Sequence, residues 1–312
     1  PLLRLIEKKG KPQEVPGLIY KENGEIRLNP VSPLMTPEEM SLLPLPLYEK
    51  LQESAYSCLS IESSRGCVNH CIYCSVPYQR SWRPLSAKTF VDRIEAYIPY
   101  LGKVSTGKFI FIDDSFIIDI KRAREIAAIL RERQIDIKAL WNSHVMELFE
   151  EEMLTELDPY TDSILVGAES FHEETLKKIG KYFKPEDILK GTEIAIKAGI
   201  DKKLLFSFII GFPWQNKEII IKEIDKIYSL VSTSSASALI NWLVLNPGSR
   251  IWNEFYNKKK VPLRKYHTIY EEWKEEVFPL SATEVEEIKS YVKSLQNSIT
   301  GGTYRLQYNV FR

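Results

Sequence analysis

Six apolar, β-branched stretches recur along the chain with helical stretches between them, and this alternation restricts the fold more than any other feature. The strand signals fall at residues 56–63, 108–112, 137–141, 163–167, 203–210 and 236–245. Amphipathic spacing predicts helices over 88–101, 120–133, 148–157, 173–179, 185–198, 217–230 and 250–257. Successive strands joined by helices of this length imply parallel βαβ units, because a parallel partner is reached only through a crossover. A strand as apolar as residues 204–210 implies burial on both faces. Six such units predict an α/β fold, a partial (βα)6 TIM-like barrel over residues 56–260. In such a barrel the chemistry gathers at the C-terminal ends of the strands, where the βα loops converge.

Two segments flank the predicted barrel. Residues 1–55 are expected to form a connector: a helix near 2–9, a hairpin at Asn23-Gly24, and an extended run carrying Pro30, Pro33, Pro37, Pro44 and Pro46. Residues 261–312 are expected to form a C-terminal extension with a helix at 283–297 and a strand-like run at 303–311. A start at Pro1 and not at Met is expected for a processed chain or a piece of a longer one.

The cysteines carry the chemistry. There are four, and three of them, Cys67, Cys71 and Cys74, lie in a C-x3-C-x2-C cluster directly after the first strand. A disulfide framework would use spread, paired cysteines in a small secreted domain. A local, odd-numbered cluster in a long chain points instead to a metal and to a reducing compartment, the cytoplasm. Structural zinc asks for four closed ligands, and only His70 offers a fourth here, next to Cys71. Three thiolates suit a [4Fe–4S] cluster with one iron left open. Other properties exclude whole classes. The 42 basic residues are balanced by 42 acidic ones, so nothing suggests a nucleic-acid partner. No run approaches the ~18–20 apolar residues of a membrane span.

With an aromatic residue, Tyr73, before the last cysteine, the cluster resembles the signature of the radical S-adenosylmethionine (SAM) superfamily. The resemblance implies a [4Fe–4S] cluster on Cys67, Cys71 and Cys74, with Tyr73 beside the cofactor. It implies that the open iron is chelated by the amino and carboxylate groups of SAM. One electron from the cluster then breaks the C5′–S bond, and the resulting 5′-deoxyadenosyl radical abstracts hydrogen from a substrate. A second likeness lies nearer the start. The run "VPGLIYKENGEIRLNP" followed by "LPLPLYEKL" is similar to the join between the cobalamin-binding domain and the barrel in cobalamin-dependent radical enzymes. The D-x-H-x-x-G cobalt-ligand motif of that domain is absent from this sequence. Cobalamin is therefore expected only if a further domain or a partner supplies it.

Further site residues follow from the same resemblance, each beside a plainer alternative. Asp113 and Asp114 end the second strand, where relatives hold the methionyl ammonium; a helix cap is the alternative. Glu169 and Ser170 close the fourth strand and would meet the ribose and amino end of SAM. Ser170 with Glu173 would otherwise form a capping box. Lys181 would neutralise the methionyl carboxylate, or else belongs to a solvated basic run. Gly211, in Gly211-Phe212-Pro213, and Asn246, in Asn246-Pro247-Gly248-Ser249, resemble motifs near the adenine, although Trp214, Gln215 and Asn216 depart from the family pattern. Asn142, Ser143 and His144 follow the third strand and face the same mouth; His144 reads as an acid/base or substrate contact, or as an ordinary hydrogen-bonded histidine. Arg65 and Gly66 precede the cysteine loop, and Cys58 reads as a small core residue.

The expected activity is radical chemistry on a small-molecule or peptide substrate, with C-methylation, oxidation or epimerisation as possible outcomes. A flavodoxin- or ferredoxin-like reductant is expected as partner. A catalytically incomplete scaffold and a zinc-binding interaction module are the competing readings.

Overall fold

The structure, a computed structural model, describes residues 2–7, 10–31, 33–76, 81–259, 279–299 and 305–309. The chain divides into two compact units, Pro1–Pro44 and Leu45–Arg312.

The first unit holds helix α1 (Leu2–Glu7), the hairpin β1 (Ile19–Glu22) and β2 (Glu25–Leu28), and helix α2 (Pro37–Ser41). Asn23 and Gly24 both adopt positive φ, as a tight two-residue turn requires, and set the register Glu22↔Glu25. Thr36 and Glu39 form a capping box at the start of α2.

The second unit is built on a seven-stranded parallel sheet. Its strands are β3 (Cys58–Ile61), β6 (Lys108–Phe111), β7 (Ala139–His144), β8 (Thr161–Glu169), β9 (Leu204–Ile210), β10 (Ser237–Trp242) and β11 (Leu306–Asn309). They pair in chain order, each parallel to the next, with β3 and β11 at the two ends. Two short antiparallel strands, β4 (Ser64–Arg65) and β5 (Arg83–Pro84), bracket the cysteine loop. The crossovers carry α3 (Ala87–Tyr97), α4 (Ile120–Glu132), α5 (Glu151–Leu157), α6 (Glu173–Ile179), α7 (Pro185–Lys197), α8 (Lys217–Thr233), α9 (Arg250–Lys259) and α10 (Ala282–Ser298). Among the described residues no helix is long and apolar enough to cross a membrane.

The partial barrel predicted from the alternation is present, with one more strand than the six expected. Strand β11, in the extension, pairs with β10 from Ala238↔Leu306 to Asn241↔Asn309. Arg305 fastens it by donating to the carbonyls of Val231, Ser234 and Ala236, and Trp242 Nε1 donates to Tyr308 Oη at 2.7 Å.

The expectation of burial on both strand faces needs correcting. Along β9, Leu204, Phe206, Phe208 and Ile210 are buried, while Leu205, Ser207 and Ile209 are only half-buried. The same alternation runs along β10. One face packs on the helices, and the other looks into a barrel interior that side chains do not fill. On the packed side, Phe90, Phe111, Phe116 and Trp141 form an aromatic chain with ring centroids 4.9–5.6 Å apart. Two of these rings flank Asp113 and Asp114 in sequence and so anchor that loop in the core.

Candidate functional site

The cysteine loop leaves β4 through Gly66, whose φ of 85° suits glycine, and whose N–H is accepted by the Asp114 carboxylate. Later parts of the chain strap the loop down. Ile72 N–H donates to the Ile179 carbonyl at 3.2 Å, and Ile251 N–H donates to the Ile72 carbonyl at 3.0 Å. Arg250 donates to the His70 carbonyl. Gly180 lies so close that a Cβ there would sit 3.2 Å from the same carbonyl oxygen. Arg65 forms a two-point pair with Glu62 and takes no part in the cavity.

Cys67, Cys71 and Cys74 form no disulfide and line one cavity of about 340 Å³ at the C-terminal ends of β6, β7 and β8. Backbone N–H groups aim at two of the sulfurs: Asn69 N to Cys67 Sγ and Val76 N to Cys74 Sγ, each at 3.4 Å. Such bonds favour a charged sulfur and tune the potential of a cluster. Burial pushes the Cys67 thiol up, partly against the Asn69 bonds. Among the described residues no three His, Cys, Asp or Glu side chains converge on a point suited to a single metal ion. A zinc ion draws its ligands to within ~2.3 Å of itself. Three separated thiols around a cavity, with N–H donors on their sulfurs, fit a polynuclear iron–sulfur group better. His70 does not line the cavity, and neither does Cys58, whose Sγ lies 3.4 Å from Thr106 Oγ1.

Beside Cys71 stands a buried ion pair. Lys181 Nζ lies 3.1 Å from Glu169 Oε1, with side chains only 5% and 9% exposed. Burial works against the Lys181 charge, but Glu169 and Cys71 outweigh it and hold the ammonium's pKa above its usual value. Tyr73 hydrogen-bonds to Glu169 and Cys71. Burial and then its neighbours Glu169 and Cys71 raise its phenol well above the ordinary value.

Glu169 reaches this place by a strained turn. Its φ is +63°, and the pairing of β8 with β9 shifts between Gly167 and Glu169. Positive φ at a non-glycine residue costs energy and clusters at functional sites. The carboxylate folds back over Gly167, where a Cβ would fall 2.7 Å from Glu169 Oε1. Gly167→Ala is therefore expected to fold but to push this carboxylate aside, lowering stability by about 1–3 kcal/mol. Thermal melting tests it, and an unchanged melting point would refute the crowding.

The two aspartates differ in surroundings. Asp113 is buried and accepts from Ser63 N–H, Ser63 Oγ and Ser64 Oγ, so it ties the strand end to the start of the cysteine loop. Arg122 reinforces that tie from beneath by donating to the carbonyls of Leu85 and Ser63 at 2.8 and 2.9 Å. Asp114 is the exposed one, with Gly66 N–H as its backbone donor. Asn142, Ser143 and His144 belong to β7 itself, not to the loop after it. Asn142 Nδ2 donates to the Asp113 carbonyl at 3.0 Å.

Ser170, Gly211 and Asn246 lie outside the cavity lining. Ser170 does not cap α6, which starts after His172. It joins a buried polar network instead. Ser170 Oγ and Gln215 Nε2 both donate to Glu223, which also accepts from His172 N–H at 3.1 Å. Gln215 Oε1 in turn accepts from Phe212 N–H at 3.0 Å. The network holds the ends of β8 and β9 together. Gly211 has a φ of +80°, and a Cβ there would strike the Trp242 ring at 2.4 Å. The Asn246 carbonyl accepts from the Ser249 N–H and hydroxyl in a turn after β10.

Burial raises the Glu223 carboxyl from its ordinary 4.5 to about 7, against the pull of its donors. Below pH 4.5 this group is protonated whether folded or unfolded. Between 4.5 and 7 the unfolded chain gives up a proton that the folded chain keeps. Stability is then expected to fall by up to about 3 kcal/mol as pH rises through that window. Glu223→Gln is expected to flatten this slope in denaturant melts at successive pH values, and parallel wild-type and variant curves would disprove the assignment.

Sequence reasoning missed Asn69, Val76, Gly167, Ser207, Gln215 and Glu223 as parts or supports of the site. For Gly167 the signal was available: a glycine two residues before a carboxylate at a strand end. Nothing in sequence spacing pairs Glu223 with Ser170.

Residues 61–227 match the family model described as the radical SAM superfamily. An uncharacterized methyltransferase of Pyrococcus horikoshii is 28% identical over 270 residues, covering 81% of this chain and 55% of that protein. The 4′-phospho-dehydrooxetanocin synthase of Priestia megaterium is 25% identical, over 66% of this chain and 30% of its own length. Among solved structures, the radical SAM methyltransferase TsrM of Kitasatospora setae, with cobalamin and a [4Fe–4S] cluster bound, aligns with a TM-score of 0.63 at 17% identity, over 82% of this chain and 51% of its own. The cobalamin-dependent radical enzyme OxsB, with aqua-cobalamin and SAM bound, aligns at 0.62 and 22% identity, over 83% and 38%. These two show the shared fold. The chain spans between 30% and 55% of the length of these relatives.

Proposed function

This chain belongs to the radical SAM superfamily, and from that premise we propose that Cys67, Cys71 and Cys74 hold a [4Fe–4S] cluster against which SAM binds in the 340 Å³ cavity. When bound, the cluster would supply one electron for reductive cleavage of SAM to a 5′-deoxyadenosyl radical. The chain's own residues bind and orient. Asp113, Asp114 and Glu169 line the cavity against one cation, Lys181. That excess of negative charge suits a ligand carrying a sulfonium and an ammonium. Asp114 is the ammonium acceptor, because Asp113 is already engaged with Ser63 and Ser64. Lys181, aligned by Glu169, faces the ligand carboxylate, and Tyr73 closes the floor beside Cys71. Ser170, Gly211 and Asn246 shape the adenosine end through the buried network and tight turns behind it.

The observation that carries this reading is the meeting of three cysteines outside any disulfide, the Glu169–Lys181 pair and Asp114 around one cavity. Methyl transfer is the reaction that the name of the Pyrococcus horikoshii relative supports, and C-methylation of a small-molecule or peptide substrate is the form proposed for this chain. Cobalamin would come from a further domain or a partner, and electrons from a flavodoxin- or ferredoxin-like reductant in the cytoplasm.

The test is anaerobic reconstitution with iron and sulfide, then SAM and dithionite, with mass-spectrometric detection of 5′-deoxyadenosine. Cluster-dependent 5′-deoxyadenosine is expected. A protein that refuses iron and sulfide but binds zinc tightly would overturn the reading.

A further inference from the structure

We propose that His144 is a binding residue of this cavity, its Nε2–H donating to the carboxylate of bound SAM; the proposal rests on the functional reading above. His144 ends β7, lines the cavity and is 4% exposed. The ring is held on every side. Tyr182 stacks on it at 5.0 Å and 18°, and Phe183 meets it edge-on at 5.1 Å. Glu147 accepts its backbone N–H at 2.9 Å.

The ring nitrogens are unequal. Nδ1 lies 3.5 Å from the Met146 N–H, which can only donate to it, and 3.5 Å from the Tyr182 hydroxyl, which can donate or accept. It therefore accepts, and the proton sits on Nε2. That Nε2–H is buried and has no partner among the described residues. A buried donor left without an acceptor is destabilising, so an acceptor is expected from outside the chain. Burial, then Lys181, lowers the imidazole to about 3, so it stays a neutral donor at working pH. Lys181 is the one cation among the described lining residues, and Glu169 already engages it. A carboxylate entering beside it has lone pairs to spare for a second donor.

The test uses reconstituted wild type, His144→Asn and His144→Gln. A glutamine amide nitrogen reaches the Nε2 position, whereas asparagine replaces only the Nδ1 side. Equilibrium dialysis with radiolabelled SAM is expected to show binding weakened by ~10-fold or more for Asn and by less than ~3-fold for Gln. Without ligand the asparagine variant should melt no lower than the glutamine one, because asparagine keeps an acceptor on the Nδ1 side for the Met146 N–H and Nε2 serves no partner among the described residues. Decarboxylated SAM should bind wild type and both variants alike. The proposal fails if both variants bind SAM as wild type does, or if the asparagine defect persists with the decarboxylated ligand. Either result leaves the proposed function intact. Absence of SAM binding by the wild type would sink both.

Discussion

Cys71→Ala is expected to emerge from reconstitution without the broad absorbance at about 400 nm, and with 5′-deoxyadenosine formation reduced more than ~100-fold. That factor is the upper end of what losing a mere hydrogen-bond partner costs a metal site, and here a ligand itself is lost. Cys71 is the buried member of the trio, and both Lys181 and Tyr73 hydrogen-bond to it. Its removal strips those groups of a hydrogen-bond partner as well as the cluster of an anchor. Iron and sulfide content, measured with the absorbance, checks the first half. Wild-type cluster content in this variant would mean that the three cysteines are not the ligands.

Lys181→Met is expected to lower stability by about 3–5 kcal/mol and the melting point by roughly 10 °C, because it leaves Glu169 charged and buried without its partner. Glu169→Gln should behave similarly, with a buried ammonium as the orphan. The double variant should regain most of the stability, since replacing both members of a buried pair is far cheaper than breaking it. It should not regain SAM binding, because the charge facing the ligand carboxylate is gone. Melting curves of the two single variants and the double one measure the coupling. If their losses simply add, Glu169 and Lys181 are not a working pair.

Much of this was readable in the chain, and the failures share a cause. β9 and β10 were legible because long β-branched and aromatic runs have few alternatives to a strand. The sequence pattern ends β7 early because Asn142, Ser143 and His144 are polar, yet they continue the strand and all three line the cavity at its end. The open interior makes polar residues on strands admissible, and a single sequence does not reveal that the interior is open. The cysteine trio was legible through its spacing, Glu169 and Lys181 only through the family resemblance, and all line one cavity. Which aspartate is tied up by Ser63 was not legible, because adjacent residues at a strand end face opposite ways only once the strand is placed. Ser170's partner, Glu223, lies 53 residues away, and no local pattern encodes that distance. The positive φ of Glu169 was equally invisible, since local preference argues against it.

The straps across the cysteine loop also set a schedule. Arg250, which donates to the His70 carbonyl, is 180 residues further along the chain. At ordinary ribosomal speeds it emerges roughly 10–40 s after the cysteines do. During that interval the three thiols are exposed on a nascent segment whose clamps have not yet been made. Iron and sulfide delivered to a finished barrel would meet a preshaped cradle, whereas metal arriving earlier would meet loose thiols with no geometric preference. Production of the intact protein should therefore favour cluster loading after synthesis, and a chain truncated before Arg250 should scavenge adventitious metal.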